Sequence, residues 1–266
     1  MKKLFDVLGW VVIAVLLSPF VLAWLPGTAE WTTGLPGTWW HSLVLSFRQL
    51  SITLTSTLVV AGAFTVAFGY LSILNPLFGR TTAGVLDSIE SIPAILVALF
   101  CYAPVAVALA SHTGAASTSL SLAVFIFAAT ITSLPEAVRG LTLPLGDLYH
   151  RKYSVSMRSY GFPKGRILRV LLNSKDMRDV LRRTAAGILL KTLVLDTSFS
   201  FIIQVGMGAN GTPAHVSPGG LIAANRMVIL PGHADPSAFF WLPVALLVAV
   251  SLSFLLVLGK DKEASR

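Results

Sequence analysis

Few residues in this 266-residue chain have the type and spacing to do chemistry, and most of those stand alone. The histidines His41, His112, His150, His215 and His233 are scattered, with no His-Glu-x-x-His or other paired metal-ligand spacing. Each reads as a solvated side chain, and no metal site is expected. The one cysteine, Cys101, lies in an apolar stretch, which leaves no disulfide framework and no thiolate metal site. No Gly-x-x-x-x-Gly-Lys-Ser/Thr phosphate loop occurs, so the chain does not hold ATP in that manner. No histidine cluster, Ser/Lys pair or acid dyad sits at matching depth, which argues against an intramembrane enzyme. No cofactor is expected.

Two features remain. Lys191 and Asp196 lie within an apolar run, where ionisable groups are costly and tend to face a bundle interior or a cavity. Five residues apart, they point about 140° away from each other on a helix and are not expected to pair. Lys191 is close enough to the inside boundary to snorkel. Asp196 lies deeper, as a structural hydrogen-bond acceptor or as a pathway residue. The second feature is a polar segment, Arg139 to Arg183, that holds eleven Lys and Arg residues. Within it, Tyr153 to Tyr160 and Lys164 to Leu172 read as two short helices. Gly161-Phe-Pro163 is the turn between them, with glycine supplying a permissive backbone and proline starting the next segment. In the second helix Ile167, Leu168, Leu171 and Leu172 share a face, while Arg166 and Arg169 project elsewhere. That is a basic amphipathic helix for the inner membrane face. An interfacial helix on anionic lipid and a docking site for a soluble partner both fit it.

The elements that position these residues are dictated by composition. The chain is 55% hydrophobic and 12% charged, with a mean hydropathy of +0.77, whereas a soluble domain carries about a quarter charged residues. Spanning helices need about 20 apolar residues each. Six spans are expected: Leu4 to Leu25, Leu50 to Leu74, Leu86 to Leu109 (broken at Pro93), Leu120 to about Leu134, Thr184 to about Val205, and Phe239 to Leu258. The first is read as a retained span, because the run is long for a signal peptide and lacks a small-residue cleavage site. Residues 1–48 then form the first span and an outside loop carrying Trp31, Trp39, Trp40 and Arg48. Residues 49–258 form the core, with the inside loop 139–183, and 259–266 a charged tail. Asn75-Pro76 and Arg80 read as a short inside loop, and Gly206 to Ser237 as a Gly/Pro-rich outside loop. Asp87 and Glu90 open the third span, where first-turn acids offset the helix dipole. Gly62 and Gly69 suit close helix packing.

The net charge of +8 is concentrated in the segments placed inside, and both termini fall on that side. This is the positive-inside pattern rather than a surface for nucleic acid.

Helix, glycine turn and helix before the penultimate span resembles the cytoplasmic coupling loop of ABC-importer permeases. The match is to the dipeptide, oligopeptide and nickel branch, through Tyr153, Arg158-Ser-Tyr-Gly161 and Arg166-Ile-Leu-Arg169-Val-Leu-Leu172-Asn173. Val155 stands where the motif has glutamate, and Asn173 where it has proline. Ser91-Ile-Pro93-Ala-Ile-Leu-Val-Ala-Leu99 resembles the family's third span. Asp196-Thr-Ser198-Phe-Ser200-Phe201 resembles its Glu-Ala-Ser-Leu-Ser-Phe, and Phe240-Trp241-Leu-Pro243 its approach to the last span. The resemblance covers roughly residues 45 to 258.

It implies an all-α permease of the bacterial cytoplasmic membrane, with Tyr153, Arg158, Gly161, Pro163, Arg166, Ile167, Arg169 and Leu171 coupling to ATPase subunits. Asp196, Ser198 and Ser200 would line the translocation pathway. The implied partners are ATP-binding-cassette ATPases, a second homologous permease, a periplasmic or lipid-anchored substrate-binding protein, and membrane lipid. The implied cargo is peptide, nickel or metal chelate, or an opine-like conjugate. The rival from another class is an ion-coupled secondary transporter, which needs inverted repeats and midplane ion ligands. No internal repeat is evident.

Overall fold

The computed structural model describes residues 11–25, 38–110, 118–202, 217–226 and 238–264. All secondary structure among the described residues is helical. In chain order the helices are α1 (Ser18–Trp24), α2 (Thr38–Leu74), α3 (Pro76–Glu90), α4 (Ala94–Ala110), α5 (Thr118–His150), α6 (Lys152–Ser159), α7 (Lys164–Leu172), α8 (Lys175–Ile202), α9 (Pro218–Ala224) and α10 (Ala238–Ala264). Four of them, α2, α5, α8 and α10, are long and apolar enough to cross a membrane, and the α3–α4 pair makes a fifth if it counts as one broken span. The expected first span, 4–25, lies partly outside the described residues; within them the chain is helical from residue 11 and breaks at Leu17, with Pro19 in the first turn of α1.

The frame is α2, α5 and α8 packed together, with α4 against α5, and α9 and α10 against α8. Leu43, Phe47, Leu50 and Leu54 of α2 meet Leu193 of α8 and Leu247, Val250 and Phe254 of α10. Tyr102 of α4 and Phe125 of α5 close on Phe199 of α8, at ring separations of 5.2 and 5.3 Å. Gly69 serves the close packing expected of it, since a Cβ there would lie 2.8 Å from Leu141 Cδ2. Gly62 does not, having nothing within 4 Å.

Four expectations are corrected. First, α2 begins at Thr38, twelve residues before Leu50, so Trp39, Trp40 and Arg48 are helical rather than loop residues. Trp39 stacks on Phe239 at 4.5 Å, and Arg48 Nε donates to the Ala23 carbonyl at the end of α1. Second, the short loop at Asn75-Pro76 is the start of a fifteen-residue helix. Asn75 Oδ1 accepts from Leu77 N at 3.0 Å, and Pro76 needs no donor at that position. Helix α3 then meets α4 at 90° across Ser91-Ile92-Pro93.

Third, Asp87 and Glu90 therefore sit in the last turn of α3, where the dipole disfavours acids. Arg139 of α5 compensates, with Nη2 at 2.6 Å from Asp87 Oδ1 and 2.9 Å from Glu90 Oε2. Fourth, the fourth span does not end at Leu134. Helix α5 runs through Pro135 and Pro144 to His150, and α8 starts at Lys175. The inside loop of 139–183 contracts to the stretch between α5 and α8, residues 151–174, with its two ends absorbed into those helices. The charged tail, too, is helical as far as Ala264.

Candidate functional site

The α6–α7 hairpin matches the expected helix, turn and helix. Helix α6 ends at Ser159, and Gly161 has φ +79°, the one positive-φ glycine among the described residues. Pro163 caps α7 with an extended backbone. A residue with a Cβ at Gly161 would meet no neighbour within 4 Å, so backbone conformation alone asks for glycine there.

The apolar face of α7 behaves differently from expectation. Ile167, Leu168 and Leu171 are buried within this chain, against Leu141, Leu145, Leu148 and Tyr149 of α5 and Met177 of α8. Tyr70 of α2 reaches the same place and donates to the Gly165 carbonyl at 3.2 Å. Ile167 and Leu171 therefore anchor the hairpin; they do not offer a face to a groove on another protein. The periodicity of α7 required burial of this face without specifying against what.

Two of the arginines are used locally as well. Arg158 lies over the Tyr149 ring at 4.7 Å and donates to the Tyr149 carbonyl at 3.4 Å. Arg166 lies over Phe162 at 4.9 Å. Ser154, fully buried in α6, donates to the Leu148 carbonyl at 2.8 Å. What the hairpin leaves exposed is Tyr153, Val155 and Val170, with Tyr160 80% exposed at its tip. Beside Tyr153, Arg151, Arg169, Val170, Asn173 and Asp176 line a depression of about 740 Å³. Arg151 and Asp176 stand 3.6 Å apart across it.

A second concavity opens between α5 and α8. This groove of about 590 Å³ is lined by Ser133, Glu136, Thr184, Lys191, Val194 and Leu258, among others. Lys191 does not simply snorkel: its Nζ is 3.4 Å from Glu136 Oε2. The pairing needs α5 to continue past Leu134, where the sequence suggests that the span ends.

The three pathway candidates separate. Asp196 and Ser200 are 2% and 1% exposed in the interior, whereas Ser198 is exposed on the far side of α8. Neither Asp196 nor Ser200 lines the groove. Asp196 Oδ2 and Ser200 Oγ have no hydrogen-bond partner among the described residues, and the same holds for the Thr57, Thr130 and Thr192 hydroxyls. Sequence reasoning missed these threonines, because a lone threonine in an apolar helix carries no signal until its neighbours are known. It also missed α9, read as loop. Gly219 of α9 lies directly on the Thr197 backbone of α8, where any Cβ would collide. The Pro218-Gly219-Gly220 run after Ser217 was the available clue, as a capped start followed by small residues.

Of the histidines, His41 lies in α2 and His150 ends α5, while His112, His215 and His233 lie outside the described residues. No group of three His, Cys, Asp or Glu residues that could hold a metal occurs among the described residues. The chain matches no protein-family model, and no curated protein matches it.

Proposed function

We propose that this chain is the membrane subunit of an ATP-driven importer, supplying half of a translocation pathway and docking separate ATP-binding-cassette ATPases on the α6–α7 hairpin. One observation carries the reading. The hairpin is anchored by its buried apolar face, while Tyr153, Val155, Tyr160 and Val170 are left exposed around it. A helix pair that only lay on lipid would turn its apolar face outward; here that face is turned inward.

The mechanism follows from how the hairpin is mounted. Its anchors are the ends of α5 and α8, which run without interruption into the core. Closure of two ATPases on nucleotide would press on the hairpin and tilt those helices, alternating access to a path between this subunit and a homologous permease. The α5–α8 groove, with Glu136 and Lys191, is our candidate for this chain's share of that path. A periplasmic or lipid-anchored binding protein would deliver the cargo: peptide, metal chelate or a related small solute. The chain would sit in a bacterial cytoplasmic membrane with both termini inside.

Affinity purification of the tagged chain from its own membranes tests this. ATPase subunits should co-purify, and Tyr160→Asp at the exposed tip should release them while the chain still inserts. Retention of no ATPase by the wild-type chain would sink the proposal. An ion-coupled transporter is the second reading, favoured by the buried carboxyl of Asp196 and the right-angle break between α3 and α4. Uptake into vesicles that continues without ATP, driven by an ion gradient, would select it.

A further inference from the structure

We infer that the junction of α2, α5 and α8 is a binding site for a sodium-sized monovalent cation, with Asp196 as its one charged ligand. The packing fixes how these helices align. Ala61 of α2, Ala137 of α5 and Ile188 of α8 meet in one cluster. Further along, Leu193 packs on Leu50 and Leu54 of α2. Leu195 and Phe199 pack on Phe125, Ala128 and Ala129 of α5. Helix α8 is thus antiparallel to both neighbours. Thr57 lies one turn before Ala61, Thr130 two turns before Ala137, and Thr192 and Asp196 one and two turns after Ile188, all on the facing sides. This alignment brings Asp196 level with Thr53 and Thr130, and Thr192 level with Thr57 and with Ser133, which is buried at the border of the groove.

All six residues are buried, none more than 4% exposed. Asp196 Oδ2 and the hydroxyls of Thr57, Thr130 and Thr192 have no partner among the described residues. Thr53 donates to the Gln49 carbonyl at 3.1 Å and Ser133 to the Thr130 carbonyl at 3.0 Å, and both keep lone pairs for a further contact. Buried polar groups are nearly always satisfied, and a buried carboxylate needs a compensating charge. Lys191 does not supply it, being turned to the groove and paired with Glu136. A cation would satisfy the carboxylate and several hydroxyls together.

The donor set decides which cation. Hydroxyl and carboxylate oxygens suit a hard ion, without the nitrogen or sulfur that transition metals favour. A single carboxylate suits one positive charge, and calcium sites in proteins recruit more. The alanines Ala61 and Ala137 bring the helices close, which favours the smaller monovalent ion.

The test is thermal unfolding of the purified full-length chain in detergent, in sodium, potassium or choline chloride at equal ionic strength. Sodium should raise the midpoint by at least about 3 °C over choline, and the rise should grow with the logarithm of its concentration above Kd. Asp196→Asn and Thr130→Val should abolish or blunt that rise, and Ser198→Ala should keep it. If Asp196→Asn does not fold, Thr130→Val alone decides. Equal midpoints in sodium and choline for the wild type would overturn the proposal and leave a neutral acid or buried water at the junction. A sodium response of wild-type size in Asp196→Asn or Thr130→Val would overturn it equally.

Discussion

The two ends of α8 meet their surroundings on different terms. Where its first turns join the hairpin, the contacts are dense and the polar groups are mostly matched: Ser154 reaches the Leu148 carbonyl, Tyr70 the Gly165 carbonyl, and Arg158 the Tyr149 carbonyl. The Tyr149 hydroxyl is the exception. In its last third, at Thr192 to Ser200, the helix is as deeply buried, yet Thr192, Asp196 and Ser200 all carry oxygens without a partner among the described residues. The hairpin end is a finished mount that explains itself within one chain. The far third buries oxygens that nothing among the described residues matches.

Substitutions can break that comparison. The largest effect is expected at the mount. Leu168→Ala removes a fully buried side chain and should cost about 2–5 kcal/mol, read as a lowered unfolding midpoint in detergent. An unchanged midpoint would mean that the hairpin is not anchored as described.

Next comes the turn. Gly161→Ala should cost about 1–2 kcal/mol because its φ is +79°, and Gly161→Asn should cost less, since asparagine tolerates that region. Equal stability of all three chains would remove the backbone argument. On the proposed function, Gly161→Val should insert normally yet lose ATPase co-purification and uptake, because the exposed face leaves its position.

The middle of the bundle predicts the opposite sign. Thr65 is buried and unmatched but lies outside the Asp196 junction. Thr65→Val should be neutral or stabilising by up to about 1 kcal/mol, as an unmatched hydroxyl gives way to a methyl of the same shape. Destabilisation beyond that would show that Thr65 has a partner. The smallest effect is expected at the groove, where Lys191→Met breaks a pair whose Glu136 side chain is 70% exposed. Stability should change by less than about 1 kcal/mol, while uptake would fall if the groove carries cargo.

The parts of this molecule legible in its sequence are those governed by local rules. Apolar runs announced the spanning helices, and Gly161-Phe-Pro163 announced the hairpin and its turn. Prolines misled in both directions. Pro135 reads as the end of a span because proline removes a helix hydrogen bond, but packing on α2 and α8 carries α5 past it and past Pro144 as well. Pro76 read as loop because Asn75 before it looks like a turn, although the same pair is a good helix start. The pairings Arg139 with Asp87 and Glu90, and Lys191 with Glu136, join residues about fifty positions apart in the chain. No spacing rule reaches that far. Asp196 stood out as a deep acid, but its companions Thr57 and Thr130 come from two other helices, and only the packed bundle assembles them.

The length of α5 has one more consequence. Thirty-three residues make a rod about 50 Å long, whereas the hydrocarbon layer is about 30 Å thick. Upright, some 20 Å of it must stand clear of the acyl chains. The hairpin hangs on the C-terminal end of that rod, like a foot on a stilt, with its anchoring contacts made to α5, α8 and α2 of the same chain. Thickening or thinning of the bilayer by a few ångströms would change how much of the stilt is submerged. It would leave the foot's own footing intact.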